Sequence, residues 1–147
     1  MFNDSTRNML SNMGVGLRVD RPAAALGAAT VNFFTVTGVV QITGLYGIVT
    51  VAAVGATTVS WQATPTAGTN IALCAGTDID TAAIGDLLGI TGVVATALTF
   101  GGAVVGIMQP LIVTAGTIDF ISSAASGTIS THCFFLPMSA GANVVIA

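Results

Sequence analysis

The chain has 147 residues, enough for one domain with a substantial core, yet its composition departs far from that of an ordinary soluble domain. Hydrophobic residues make up 53% and charged residues only 6%, against about 25% charged in typical domains, and lysine and glutamate do not occur. A net charge of −3 with no basic stripe argues against a nucleic-acid partner, because phosphate binding needs such a stripe.

In chain order, residues 1–30 stand apart. They hold every positive charge, Arg7, Arg18 and Arg21, beside Asp4 and Asp20, together with Met1, Met9 and Met13. Such a segment has little to fold around. It reads as an extended arm, as a short helix that orders on a partner, or as a plain tail. Gly14-Val15-Gly16 is too short for a phosphate loop and follows no expected strand. The apolar stretch begins only after Pro22, behind Asp4 and several polar residues, so no export signal is expected and synthesis is assigned to the cytoplasm.

From Val31 onward the pattern is that of strands: β-branched residues dominate, and the charged residues that favour exposed helix surfaces are missing. Phe34–Val36 and Val39–Ile42 read as strands punctuated by Gly38 and Gly44, each marking a turn or bulge. Val59 and Trp61 alternate with Thr58, Ser60, Gln62 and Thr64, the period of a half-buried strand. Its expected partner is Ile48–Val54, joined through a turn near Gly55 as a hairpin. Further strands are expected at 71–74, 87–91, 104–107, 111–113, 117–121, 128–136 and 144–146, with one helical turn at Asp80–Ile84 capped by Asp80. Eight to ten short strands, separated by turn residues every 8 to 12 positions, indicate a sandwich or barrel.

Leu87–Met108 is free of charge for 22 residues and passes a hydropathy test for a membrane span. Thr91, Thr96, Thr99 and several glycines interrupt it, and no Lys, Arg, Trp or Tyr flanks it, so a span is the lesser reading.

Catalytic chemistry is thinly supplied. His132, the single histidine, falls on the 128–136 strand and points away from Cys133, since strand neighbours face opposite sides. Cys74 and Cys133 lie far apart in sequence with no metal-binding spacing, and read first as core thiols; a Cys74–His132 pair is the catalytic alternative. Asp78, Asp80 and Asp86 form the one acidic cluster, but the loop lacks the glycine and terminal glutamate of a calcium site, so loop capping is expected. No cofactor or metal is called for. The aromatics Phe33, Phe34, Tyr46, Trp61, Phe100, Phe120, Phe134 and Phe135 are core candidates. The adjacent pairs Phe33-Phe34 and Phe134-Phe135 cannot both face inward on a regular strand, so one of each should meet a second layer or a neighbouring subunit.

The blocks NFFTVTGVVQITGLYGIVT, QATPTAGTNIALCAGTDIDTAAIGDLLGITG, VTAGTIDF and PMSAGANV, spanning about Asn32 to Val144, resemble small Thr/Gly-rich virion proteins of tailed bacteriophages. The comparison is with head decoration or cement proteins, which sit on the outside of the capsid shell, often as trimers. The resemblance implies a β-rich homotrimer at the capsid surface of the virion that binds the major capsid protein and stabilises the head, and it carries over no site residues. Residues 1–30 are unmatched.

The combined expectation is an all-β chain: an antiparallel β sandwich or barrel, jelly-roll-like, over residues 31–147, with an extended N-terminal arm over 1–30. Arg7, Arg18 and Arg21 are the candidate capsid-docking residues of that arm. The function expected is structural, without an enzyme activity. The alternatives are a phage tail or fibre component, a membrane protein spanning near 87–108, and a cysteine hydrolase.

Overall fold

A computed structural model describes residues 16–147, and these form an all-β sandwich of two antiparallel sheets. Twelve strands occur in this range: β1 (Leu17–Ala25), β2 (Thr30–Thr37), β3 (Val40–Val51), β4 (Thr58–Pro65), β5 (Ile71–Ala72), β6 (Thr77–Asp78), β7 (Leu87–Gly89), β8 (Thr99–Phe100), β9 (Leu111–Val113), β10 (Gly116–Ser122), β11 (Thr128–Pro137) and β12 (Asn143–Ile146). The first sheet runs β1-β11-β3-β7-β8, with β9 also pairing β3; the second runs β12-β2-β10-β4-β5, with β6 also pairing β4.

The winding is that of a jelly roll. Taking β1, β2, β3, β4, β5, β7, β10 and β11 as eight successive strands, the first pairs with the eighth, the second with the seventh, the third with the sixth and the fourth with the fifth. Among the described residues no strand ladder joins the two sheets, so the molecule is a sandwich and not a closed barrel. A single isolated bridge, Ala75 to Ala97, stitches the sheets on the β5–β8 side.

Period-two alternation sets the core. On β4, Val59, Trp61 and Ala63 are buried while Thr58, Ser60, Gln62 and Thr64 face outward, and on β11 Ile129, Thr131, Cys133 and Phe135 are buried. The centre is aromatic: Phe33 stacks on Phe120 at 4.9 Å, and Trp61 meets the edge of Phe120 at 5.1 Å. Each such side chain removed from water contributes about 1.5–3 kcal/mol.

Several expectations change. Leu17–Ala25, read from the sequence as part of the arm, is strand β1, paired with β11 from Leu17 opposite Phe135 to Ala25 opposite Thr128. Pro22 falls where the register shifts between Arg21 and Ala24, on an edge strand, one of the few sheet positions that tolerate proline. The hairpin expected between Ile48–Val54 and Thr58–Thr64 does not form. β3 and β4 lie in different sheets, and residues 52–57 arch between them, with Gly55 at φ 82° and Thr57 buried. Phe33 and Phe34 are both buried because a register shift at this point of β2 turns the two neighbours inward together.

Other differences are local. No helical turn forms at Asp80–Ile84, and Val104–Ile107 is loop, the neighbouring strand being Thr99–Phe100. Gly44 is a bulge point within one long strand, where a side chain would meet the Phe134 ring at 3.2 Å. Among the described residues no helix is long and apolar enough to cross a membrane; residues 87–108 are short strands and loop.

Candidate interaction surface

The outer face of the first sheet carries a row of rings. His132 and Phe134 project from β11, and Tyr46 from β3 stacks on both, at 4.9 Å and 6.3 Å. β1 brings Asp20 opposite His132, so that a carboxylate oxygen lies 2.6 Å from His132 Nδ1, and Arg18 Nε donates to the same oxygen at 2.6 Å. The Arg18 guanidinium, and with it His132, holds the Asp20 carboxyl below its ordinary range against the opposing effect of desolvation.

An imidazole oriented by a carboxylate is half of a nucleophile-activating arrangement; the other half is a hydroxyl or thiol on the far nitrogen. His132 Nε2 is buried and has no hydrogen-bond partner. Cys133 faces the opposite side of β11, and burial pushes its thiol up to about 12. Cys74 is also buried and raised by desolvation, and its sulfur accepts the Trp61 amide at 3.3 Å. Both cysteines are free thiols in the core, the opposite of the electropositive, exposed setting that makes a thiolate. The polar row is therefore a clasp that holds the edge strand β1 to the sheet.

The aspartates of the 78–86 region cap loops, as expected, though with different partners. Asp78 Oδ1, not Asp80, accepts the Thr57 and Asp80 amides, at 2.8 and 3.1 Å, pinning the β3–β4 arch to the start of the next loop. Asp86 accepts the Ala83 and Gly102 amides, both at 2.9 Å. Among the described residues no group of three or more His, Cys, Asp or Glu is gathered to hold a metal. Asp119, on the outer face of the second sheet, is buried; its Oδ2 accepts the Thr64 hydroxyl, which in turn accepts the Gln62 amide, while Oδ1 has no partner.

Of the three arginines, Arg7 lies outside the described residues. Arg18 is half-exposed in the clasp. Arg21 lies with its guanidinium 4.1 Å above the Phe33 ring, and its buried Nε has no acceptor. These two residues sit on a strand.

Three features mark the rest of the surface. The outer face of the second sheet is polar with no exposed ion among Thr58, Ser60, Gln62, Thr64 and Thr117, which surround the buried Asp119. On the β5–β9 side lies an apolar groove of about 310 Å³, where Ile71, Val94 and Ile112 are exposed. A smaller hollow of about 170 Å³ lies between Tyr46, Phe134 and the 105–108 loop, whose Ile107 is fully exposed. Sequence reasoning missed the groove because its walls come from three separate segments. The available signal was the charge-free run from Leu87 to Ile118, which holds Val94 and Ile112. Comparison with protein families, curated proteins and solved structures gives no match.

Proposed function

We propose that the chain is a non-enzymatic structural subunit of a virion, a head decoration or cement protein that binds the major capsid protein and stabilises the head. The observation that carries this reading is the surface. Large aliphatic side chains stand exposed around an apolar groove, the second sheet presents neutral hydroxyls and amides, and ionic groups are nearly missing between them. A freely diffusing subunit avoids such patches, whereas a subunit held in a protein lattice covers them. The jelly-roll winding is compatible with this role, since capsid and lectin domains use it, but a fold alone does not assign a function. Buried, raised thiols and a histidine lacking a nucleophile weigh against the hydrolase alternative.

The test is co-sedimentation of the purified chain with capsids assembled without it. The reading expects saturable binding and a higher capsid disruption temperature; a chain that stays in the supernatant at every ratio refutes it.

A further inference from the structure

An edge strand invites pairing by another chain unless it is short, charged, broken by proline or covered. Most margins of this sandwich are guarded in one of these ways. β1 carries Arg18, Arg21 and Pro22 and lies beside β12, β8 is two residues long, and the outer side of β5 is covered where the Ala95 amide donates to the Ala72 carbonyl at 3.4 Å. β9 is the exception. It pairs β3 on one side, from Val113 opposite Val40 to Leu111 opposite Ile42, and among the described residues no strand or loop backbone pairs its other side. Alternate amides and carbonyls therefore point outward from it, and no charged residue occurs between Asp86 and Asp119 to guard them.

This open margin is also a wall of the apolar groove. Ile112 on β9 is 68% exposed there, Ile71 and Val94 line the groove from β5 and from the loop after β7, and the buried Leu73 and Val113 line it more deeply. None of the lining residues is charged. The two features together select the occupant. A small apolar molecule would fill the groove and leave the β9 backbone unpaired, and a folded surface cannot enter a trough of about 310 Å³. An extended peptide meets both needs, with its backbone on β9 and every second side chain in the groove. Those side chains must be apolar, because a charge buried there would find no partner.

We propose that the groove receives an extended, uncharged peptide segment of the capsid protein, which adds to β9 as a further strand and sets alternate aliphatic side chains against Ile71, Val94 and Ile112. That the donor is capsid protein rests on the function proposed above; the strand addition itself does not. Pro110, which has no amide hydrogen, ends the pairing edge just before Leu111. The added ladder is therefore short, and the side chains in the groove supply much of the affinity.

The probe is a capped, fluorescently labelled heptapeptide of alternating threonine and valine, titrated by anisotropy. Ile112→Asp and Val94→Asp place a charge in the groove at exposed positions, and Val104→Asp, exposed outside it, is the control. Circular dichroism checks that all three keep the β fold. The peptide is expected to bind the wild-type chain and the control alike, to bind both groove variants at least about tenfold more weakly, and to slow amide hydrogen exchange along Leu111–Val113. Methylating the peptide nitrogens at every valine, or at every threonine, should weaken binding by a similar factor in at least one of the two cases, because the bonding edge is blocked. Ile112→Asp should also lower the affinity for capsids assembled without the chain. Four results overturn the proposal: no peptide binding by the wild type, undiminished binding by Ile112→Asp, no loss from either methylated peptide, or capsid binding by Ile112→Asp equal to the wild type. A wild-type chain that takes the peptide but not capsids overturns the function proposed above, and with it the donor, while the strand addition stands.

Discussion

Replacing Phe120 by alanine tests the aromatic centre of the sandwich. The ring is 1% exposed, stacked on Phe33 at 4.9 Å and edge-on to Trp61 at 5.1 Å, so its removal opens a cavity between the two sheets and breaks both ring contacts. Buried Phe→Ala changes cost about 3–5 kcal/mol, out of about 5–15 kcal/mol for a whole domain. For a chain of this length that corresponds to a fall in Tm of about 10–15 °C. Trp61, the only tryptophan and fully buried, reports unfolding by a red shift in its fluorescence. Phe134→Ala is the control: this ring is half-buried on the outer face, and its loss should cost under about 1.5 kcal/mol. Both variants are compared at one protein concentration, so that assembly does not enter the difference. Equal losses for the two variants, or a Phe120→Ala loss below about 1 kcal/mol, would refute the assignment of inner and outer faces.

Burial sets the behaviour of the thiols. With Cys133 pushed up to about 12 and Cys74 also raised, neither should react with iodoacetamide in the native protein at pH 8, and both should react once urea unfolds it. Fast native alkylation at either position would contradict their placement. The Asp20 clasp gives an acid dependence. Its folded pKa lies below the ordinary value of 3.8, so its contribution is present above that value and is lost as pH falls through the lowered one. Asp20→Asn should therefore flatten the stability profile below about pH 4, by less than about 1 kcal/mol because the pair is half-exposed. Urea midpoints across the acid range would show it, and an unchanged slope would mean that the clasp contributes nothing.

What could be read from the sequence was local. The alternation from Thr58 to Thr64 gave the inward Val59 and Trp61 of β4 directly, and the strands near 111–113, 117–121 and 128–136 were placed within a residue or two. Pairing was not legible. The partner of β3 is β11, some eighty residues away, and no turn signal near Gly55 says whether the chain folds back in one sheet or crosses to the other. The bulge that buries Phe33 beside Phe34 depends on what β10 presents opposite them, a non-local fact. Charge depletion did point to a surface short of ionic groups. The groove itself appears only when Ile71, Val94 and Ile112, from three separate segments, are brought together.

In the function proposed above, this neutral, partly apolar surface is covered by capsid protein. The most direct measurement is binding of the purified chain to capsids assembled without it, followed by co-sedimentation from low salt to about 1 M, where the Debye length falls to about 3 Å. Contacts made by aliphatic groups and neutral hydroxyls should survive that screening, so the account predicts saturable binding that changes little across the series. No binding at low salt, or binding that vanishes as salt rises, would contradict it.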